Sequence, residues 1–332
     1  MIHSIISWDC SYRNFFYLID GLLDQDYNRD EFELIYVEQR TEEVANNYNH
    51  KLGLKSLRDR YEEVKDQMNI QVVYLEHDDE VPYHLGKCNN KGIEIANGEI
   101  ISVMDGDLLL SSNFLTMLEE YHNQKAVINL FRYMASSPVG VEEEKWTQGV
   151  ISFKDCLELC PNRNDSIPNT TSNKGPLISA RKEYWEAVNG YDLHSIWSTG
   201  LSRLGQDVNA RLEIAIGMQS FALPDAFAVH PYHPAGFRRN EFKSQKLLDL
   251  QQQLINWAVR NKEPSWKART SYTKKLYNIN RIFVDEMVYS DFPSLPCTSE
   301  VKIATSMLKK VNTIYGKVIK KIFQIKQSLR CR

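Results

Sequence analysis

Two carboxylates one residue apart, Asp105 and Asp107, follow directly on the run Ile100-Ile101-Ser102-Val103-Met104. Short, β-branched and stopped by Gly106, that run reads as a buried strand ending on an acidic turn. Two hard oxygen ligands at this spacing suit Mg²⁺ or Mn²⁺ holding a diphosphate. Such ions take one or two carboxylates and fill their remaining positions with phosphate oxygens and water. Gly106 lets the backbone come close to a ligand. Asp and Gly also punctuate ordinary turns after strands, so the pair alone does not separate chemistry from a chain reversal. The elements around it are needed for that.

Residues 1–8 read as a first strand, and Ser11 to Leu23 as an amphipathic helix with Phe15, Leu18, Ile19 and Leu22 on one side. Phe32 to Glu38 is a second strand ending on a carboxylate, and a helical stretch over 41–67 follows, with acids and bases offset by three or four residues. Ile70 to Leu75 reads as a third strand, Gly86 to Ala96 as a helix, and Glu99 to Met104 as the fourth strand. Asn113 to His122 continues as helix behind Ser111 and Ser112, then Val127 to Phe131 and Gly175 to Ala180 as strands. Between those two strands the polar region Val139 to Asn173 reads as a long loop or flap. A helix over Arg181 to Val188 stops at Asn189-Gly190, another opens at Gln206, and a last strand ends Phe227 to His230. Strand and helix alternate throughout, which predicts an α/β domain with a mainly parallel sheet. In open sheets of this kind ligands bind beyond the carboxyl ends of the strands, where Glu38 and the acidic pair both lie.

Composition agrees with a sizeable core: 42% hydrophobic and 25% charged over 332 residues. No apolar run is long enough to cross a bilayer and no signal peptide opens the chain, so a cytoplasmic protein is expected. The six cysteines are scattered without zinc-finger spacing, and reduced thiols are expected. Charge is unevenly placed. Residues 299–332 carry nine Lys or Arg against the single Glu300, on a chain of formal net charge −3, so the body is strongly acidic. Val301, Ala304, Leu308, Val311, Tyr315, Val318, Ile322, Ile325 and Leu329 recur at three and four residues, a heptad seam flanked by lysines. This tail suits an anionic membrane surface or a coiled-coil partner, with the former preferred. Nucleic acid is not expected as a partner, since the body lacks interleaved basic and aromatic residues.

In order along the chain, these patterns resemble a GT-A fold glycosyltransferase, close to family 2 and to the galactosyltransferase-like C-terminal segment. Glu33 to Glu38 resembles the second-strand segment whose terminal acid contacts the nucleotide base. Asn90-Lys91-Gly92-Ile93 with Ala96 to Ile100 resembles the lead into the metal motif, and Asp105-Gly106-Asp107 stands where Asp-X-Asp belongs. Gly175 to Asp192 resembles the acceptor-side stretch, Gln206-Asp207 falls where Glu-Asp is usual, and His230 where a metal-binding histidine is common. His230 is preferred to His233 because it ends a strand. Departures accompany the match. Ser7-Trp8-Asp9-Cys10 replaces the usual Pro-X-Tyr-Asn, Gln206 replaces the first acid, and Trp-Gly survives only as Trp197 and Gly200.

The resemblance implies a Rossmann-like GT-A domain over 1–235, its nucleotide-sugar half about 1–110 and its acceptor half about 111–235. A helical extension over 236–298 and the basic amphipathic helix 299–332 would follow. It further implies transfer of a sugar from a nucleoside diphosphate, UDP foremost, to a hydroxyl of a glycan or lipid-linked acceptor, with Mn²⁺ or Mg²⁺ on Asp105, Asp107 and His230. Glu38, Asp105, Asn90, Ser7 and Asp9 would meet the nucleotide-sugar. Trp185, Asn189, Tyr191, Asp192 and Gln206 would meet the acceptor, and Asp207 would be the general base of an inverting displacement. A retaining transferase or a non-catalytic assembly partner are the alternatives. Work on lipid-linked acceptors would place the enzyme at the inner face of the membrane.

Overall fold

Side chains of the central strands point alternately to two faces of one sheet, and each face is buried against its own set of helices. The computed structural model describes residues 1–9, 16–43, 55–75, 84–135, 153–158, 160, 176–197, 203–231 and 245–268. The chain runs β1 (His3–Asp9), α1 (Tyr17–Leu23), β2 (Phe32–Glu38), α2 (Leu57–Val64), β3 (Asn69–Tyr74), α3 (Leu85–Ile95) and β4 (Ile100–Met104). It continues with β5 (Leu109–Leu110), α4 (Phe114–His122), β6 (Ile128–Met134), α5 (Phe153–Glu158), β7 (Leu177–Arg181) and α6 (Lys182–Ala187). Then come α7 (Leu204–Ile216), β8 (Phe221–His230) and α8 (Gln245–Asn261).

Among the described residues these strands form one sheet in the order β3-β2-β1-β4-β7-β6-β8-β5. β3, β2, β1 and β4 are parallel throughout, as the alternating pattern predicts. The far half is mixed: β7 runs antiparallel to β4 and β6, β8 parallel to β6, and β5 antiparallel to β8. Ile6, Ile35, Val37, Ile101 and Val103 face a core shared with α3, α6, α7 and α8. Ile5, Leu34, Tyr36 and Met104 face the other, shared with α1, α2 and α4. Every residue of β2 is buried, including Glu33, whose carboxylate accepts from Ser4 Oγ at 2.6 Å and from Asn97 N at 2.7 Å. Those bonds explain the polar residues in the stretch between α3 and β4: they tie its entry to the neighbouring strands.

Two expected elements differ in extent. Of the stretch 41–67, residues 57–64 are helix, opened by a capping box between Ser56 and Asp59; residues 44–54 lie outside the described ones. β8, expected to end over Phe227 to His230, begins at Phe221: Phe221 and Ala222 pair with β6, and pairing resumes at Phe227 after a register shift between Asn129 and Phe131 that takes in Pro224 and Asp225, the latter at φ 57. The expected flap lies mostly outside the described residues, but Phe153–Glu158 within it is helix, and Cys156 and Cys160 are buried. Burial pushes the Cys156 thiol up to about 12. Of the expected helical extension over 236–298, α8 is present, while residues 236–244 and 269–298 and all of the tail 299–332 lie outside the described residues. No described helix is long and apolar enough to cross a membrane.

Candidate active site

The acidic turn after β4 is held from two sides. Asp105 N donates to Pro176 O at 3.0 Å, and Gly106 O accepts from Leu18 N, at the start of α1, at 3.3 Å. Beneath it, Ser7 Oγ donates to Met104 O at 3.1 Å. A Cβ at position 106 would come within 2.4 Å of the Tyr36 hydroxyl and 3.0 Å of Ser7 Oγ, so close packing, not only turn geometry, demands glycine.

β5 explains what Asp107 meets. Leu109 pairs with Val229 and Leu110 with Ala228, antiparallel, so the residues preceding β5 are carried to the end of β8. There Asp107 Oδ2 lies 3.3 Å from His230 Nε2. Asp105 points elsewhere, its Oδ2 3.7 Å from Arg132 Nη1 on β6. The Asp105 side chain is 25% exposed and that of Asp107 10%. A carboxylate oxygen and an imidazole nitrogen thus converge at the sheet end, with a second carboxylate beside them. This donor set fits Mn²⁺ or Mg²⁺, which keep positions open for phosphate and water. Among the described residues no three His, Cys, Asp or Glu side chains gather around one point.

Asp207 lies in the first turn of α7 and is fully buried. Its Oδ2 accepts from Arg211 Nε at 2.9 Å, and its Oδ1 accepts from the hydroxyl of Ser265. Burial pushes the Asp207 carboxyl up, Arg211 and Ser265 draw it back down, and the Asp192 carboxylate adds to the upward push. Arg211 Nη1 also donates to Val188 O at 2.8 Å and Gly190 O at 2.7 Å, tying α7 to the turn after α6.

Residues 18–132 match the family described as "Glycosyltransferase like family 2". Among solved structures, S. aureus TarS 1-349 in complex with UDP-GlcNAc aligns at TM-score 0.54 and 14% identity, over 85% of this chain and 74% of that one. The segment 18–132 is thus similar to family 2-like glycosyltransferases, and the chain shares the GT-A fold of TarS. The mannosyltransferase PcManGT from Pyrobaculum calidifontis, in complex with GDP-Man and Mn²⁺, aligns at 0.48 and 13%, over 78% of this chain and 63% of that one. No curated protein matches at a significant level.

The other expected site residues fall into distinct environments. Glu38 is 1% exposed and its carboxylate is held bidentately by Arg40, at 2.8 Å from Nε and 2.7 Å from Nη2, so in this arrangement it faces a guanidinium rather than a nucleotide base. Asp9 pairs in register with Glu38. Asn90 joins two elements: Nδ2 donates to Tyr191 O at 2.9 Å and Oδ1 accepts from Tyr191 N at 2.7 Å. Gly190, at φ 59, has no room for a side chain there, since a Cβ would meet Asn90 Oδ1 at 2.4 Å. Trp185 does not reach an acceptor: it is fully buried, its Nε1 donates to Ile101 O at 3.1 Å, and its ring stacks on Tyr191 at 5.7 Å. Burial raises the Tyr191 phenol, and Asp105 and Arg211 both act on it, so it stands between the acidic turn and the Asp207 cluster. Asn189 is exposed at φ 56, Asp192 accepts from His194 N and Trp197 Nε1, and Gln206 Oε1 accepts from Arg203 Nη1 at 3.1 Å. His233 and Gly200 lie outside the described residues.

Sequence reasoning missed Arg40, Arg132, Arg211 and Ser265. Asp207 and Arg211 stand at helical i,i+4 spacing, a readable signal. Ser265 carried none, being 58 residues from its partner.

Proposed function

We propose that this glycosyltransferase moves a sugar from a nucleoside diphosphate, UDP foremost, to a hydroxyl of a glycan or lipid-linked acceptor in surface polysaccharide synthesis. The reaction is a single inverting displacement that depends on Mn²⁺ or Mg²⁺. The observation that carries this reading is the meeting of Asp107 and His230 at the end of the sheet, 3.3 Å apart beside Asp105. A divalent ion held there neutralises the charge that gathers on a departing diphosphate. TarS, of the same fold, binds UDP-GlcNAc, which makes UDP-sugars the first donors to test.

The protein's own groups do the rest. Asp105, more open than Asp107, would help hold the donor, and Arg132 beside it would add a fixed positive charge for the diphosphate. The turn Asn189 to Asp192, braced by Asn90 and Arg211, orients the acceptor. Asp207 takes the acceptor's proton as its oxygen attacks the anomeric carbon. Arg211 holds the carboxylate in one orientation, and burial brings its basicity closer to the working range of a general base. The lysine-rich segment 299–332 suits docking on an anionic membrane surface, near lipid-linked acceptors.

Asp207→Asn tests this assignment. Transfer should fall by at least about a hundredfold, the scale of general-base contributions, while nucleotide binding persists and a melting curve shows the chain still folded. Transfer that survives in the folded variant contradicts the assignment.

A further inference from the structure

General-base catalysis requires a hydroxyl within hydrogen-bond reach of the base. In this structure Asp207 already has one. The Ser265 hydroxyl donates to Asp207 Oδ1, on the opposite side of the carboxylate from Arg211, and with Asp207 fully buried and Ser265 1% exposed the contact is sealed from water. Ser265 opens a short 3-10 turn, Ser265–Ala268, directly after α8.

The helix and the turn are fastened differently. α8 buries Leu250, Leu254, Ile255 and Ala258, the first three in the same core as Leu204 and Val208 of α7. Gln251, itself fully buried, accepts from Arg203 N at 3.0 Å and donates to Ile196 O at 2.5 Å, and Arg203 Nε donates to Leu248 O at 3.2 Å. The turn is reached through Lys262 at φ 53 and Pro264. Its hold on α7 consists of the Ser265 bond and the half-buried Trp266 ring, which lies 5.3 Å from the Arg211 guanidinium carbon. A cation–π contact and one hydrogen bond are weak beside the apolar burial of α8.

We propose that the turn Ser265–Ala268 is a self-acceptor latch: the Ser265 hydroxyl occupies the place of the acceptor hydroxyl on Asp207, and an acceptor must displace the turn to be activated. This rests on Asp207 being the base. With the latch open and no acceptor, water takes the vacated place. Its oxygen bonds to the anomeric carbon, the bond from that carbon to the diphosphate oxygen breaks, and its proton passes to Asp207.

Two readouts on the full chain test it. With carbodiimide and glycine ethyl ester, read by mass spectrometry, Asp207 should label at least about fivefold faster in Ser265→Ala and in Trp266→Ala than in wild type. Unchanged labelling in both overturns the latch, whatever the donor. With UDP-GlcNAc and Mn²⁺ but no acceptor, UDP release should rise about tenfold in Ser265→Ala, equivalent to ~1.4 kcal/mol. Adding Asp207→Asn to that variant should return release to the wild-type level. Release that stays level or falls in Ser265→Ala, while Asp207→Asn still abolishes transfer, overturns the latch and leaves the base standing. Release that rises and survives Asp207→Asn overturns the base assignment, and the latch with it. Melting curves confirm that each variant is folded.

Discussion

Gly106 sits between two functional carboxylates, yet what constrains it is its underside. The Tyr36 hydroxyl would be 2.4 Å from a Cβ there and Ser7 Oγ 3.0 Å. Gly106→Ala should therefore destabilise the protein by about 1–3 kcal/mol through overpacking, and Tyr36→Phe in the same chain should restore part of it by removing the clashing oxygen. A double-mutant cycle in urea checks this, and strict additivity would contradict it. At this scale the sequence was partly legible. The acidic pair and His230 were readable because they stand at strand ends, where backbone geometry leaves side chains open to ligands. Trp185 was not, since an aromatic's type does not say whether it faces a core or a sugar, and here its Nε1 bond to Ile101 O fixes it inside. Ser265 was invisible for a different reason: a contact spanning 58 residues leaves no local periodicity.

Between elements, two buried histidines make the sheet acid-sensitive. His3 opens β1 with neither ring nitrogen hydrogen-bonded within the protein, and burial lowers its pKa to about 4. His122 ends α4 with Nε2 2.9 Å from Ser179 Oγ on β7, and its pKa falls to about 3, by burial first and then by repulsion from His3 and Arg181. Both are neutral in the fold, whereas an unfolded chain protonates them near 6.5. The unfolded state thus binds more protons below that pH, and stability is lost as pH falls from about 6.5 toward 4 and then 3, by up to ~1.4 kcal/mol per pH unit for each histidine. Urea unfolding between pH 7 and 5 should show this slope, to which His84, also buried with its pKa lowered by burial, adds, and His3→Phe, which keeps the packing against Tyr27, should reduce it. An identical slope in the variant would contradict the account. The strands themselves were legible because runs such as Leu34 to Val37 are apolar on both faces, as strands covered by helices on each side must be. The first half of β8 was not, because Pro224 and Asp225 fall where pairing to β6 is interrupted, between Ala222 and Phe227.

Across the whole molecule, one half of the sheet is a regular parallel array, and the residues proposed to carry the chemistry lie where that regularity ends. β5 reverses to carry Asp107 to His230, and α8 returns to pack beside the helix that bears Asp207. The alternating pattern made the parallel half and its ligand-binding end predictable. The closing role of α8 was not, because a helix's amphipathic face shows that it packs without showing against what. The central claim is that a divalent ion held by the carboxylate of Asp107 links this protein to its donor's diphosphate. Calorimetric titration of UDP-GlcNAc and related nucleotide-sugars, with Mn²⁺ and then with EDTA, tests it most directly. The account predicts binding at least about tenfold tighter with Mn²⁺, a gain of ~1.4 kcal/mol or more, which Asp107→Asn removes. Equal affinity with and without the ion, for every donor tried, would contradict it.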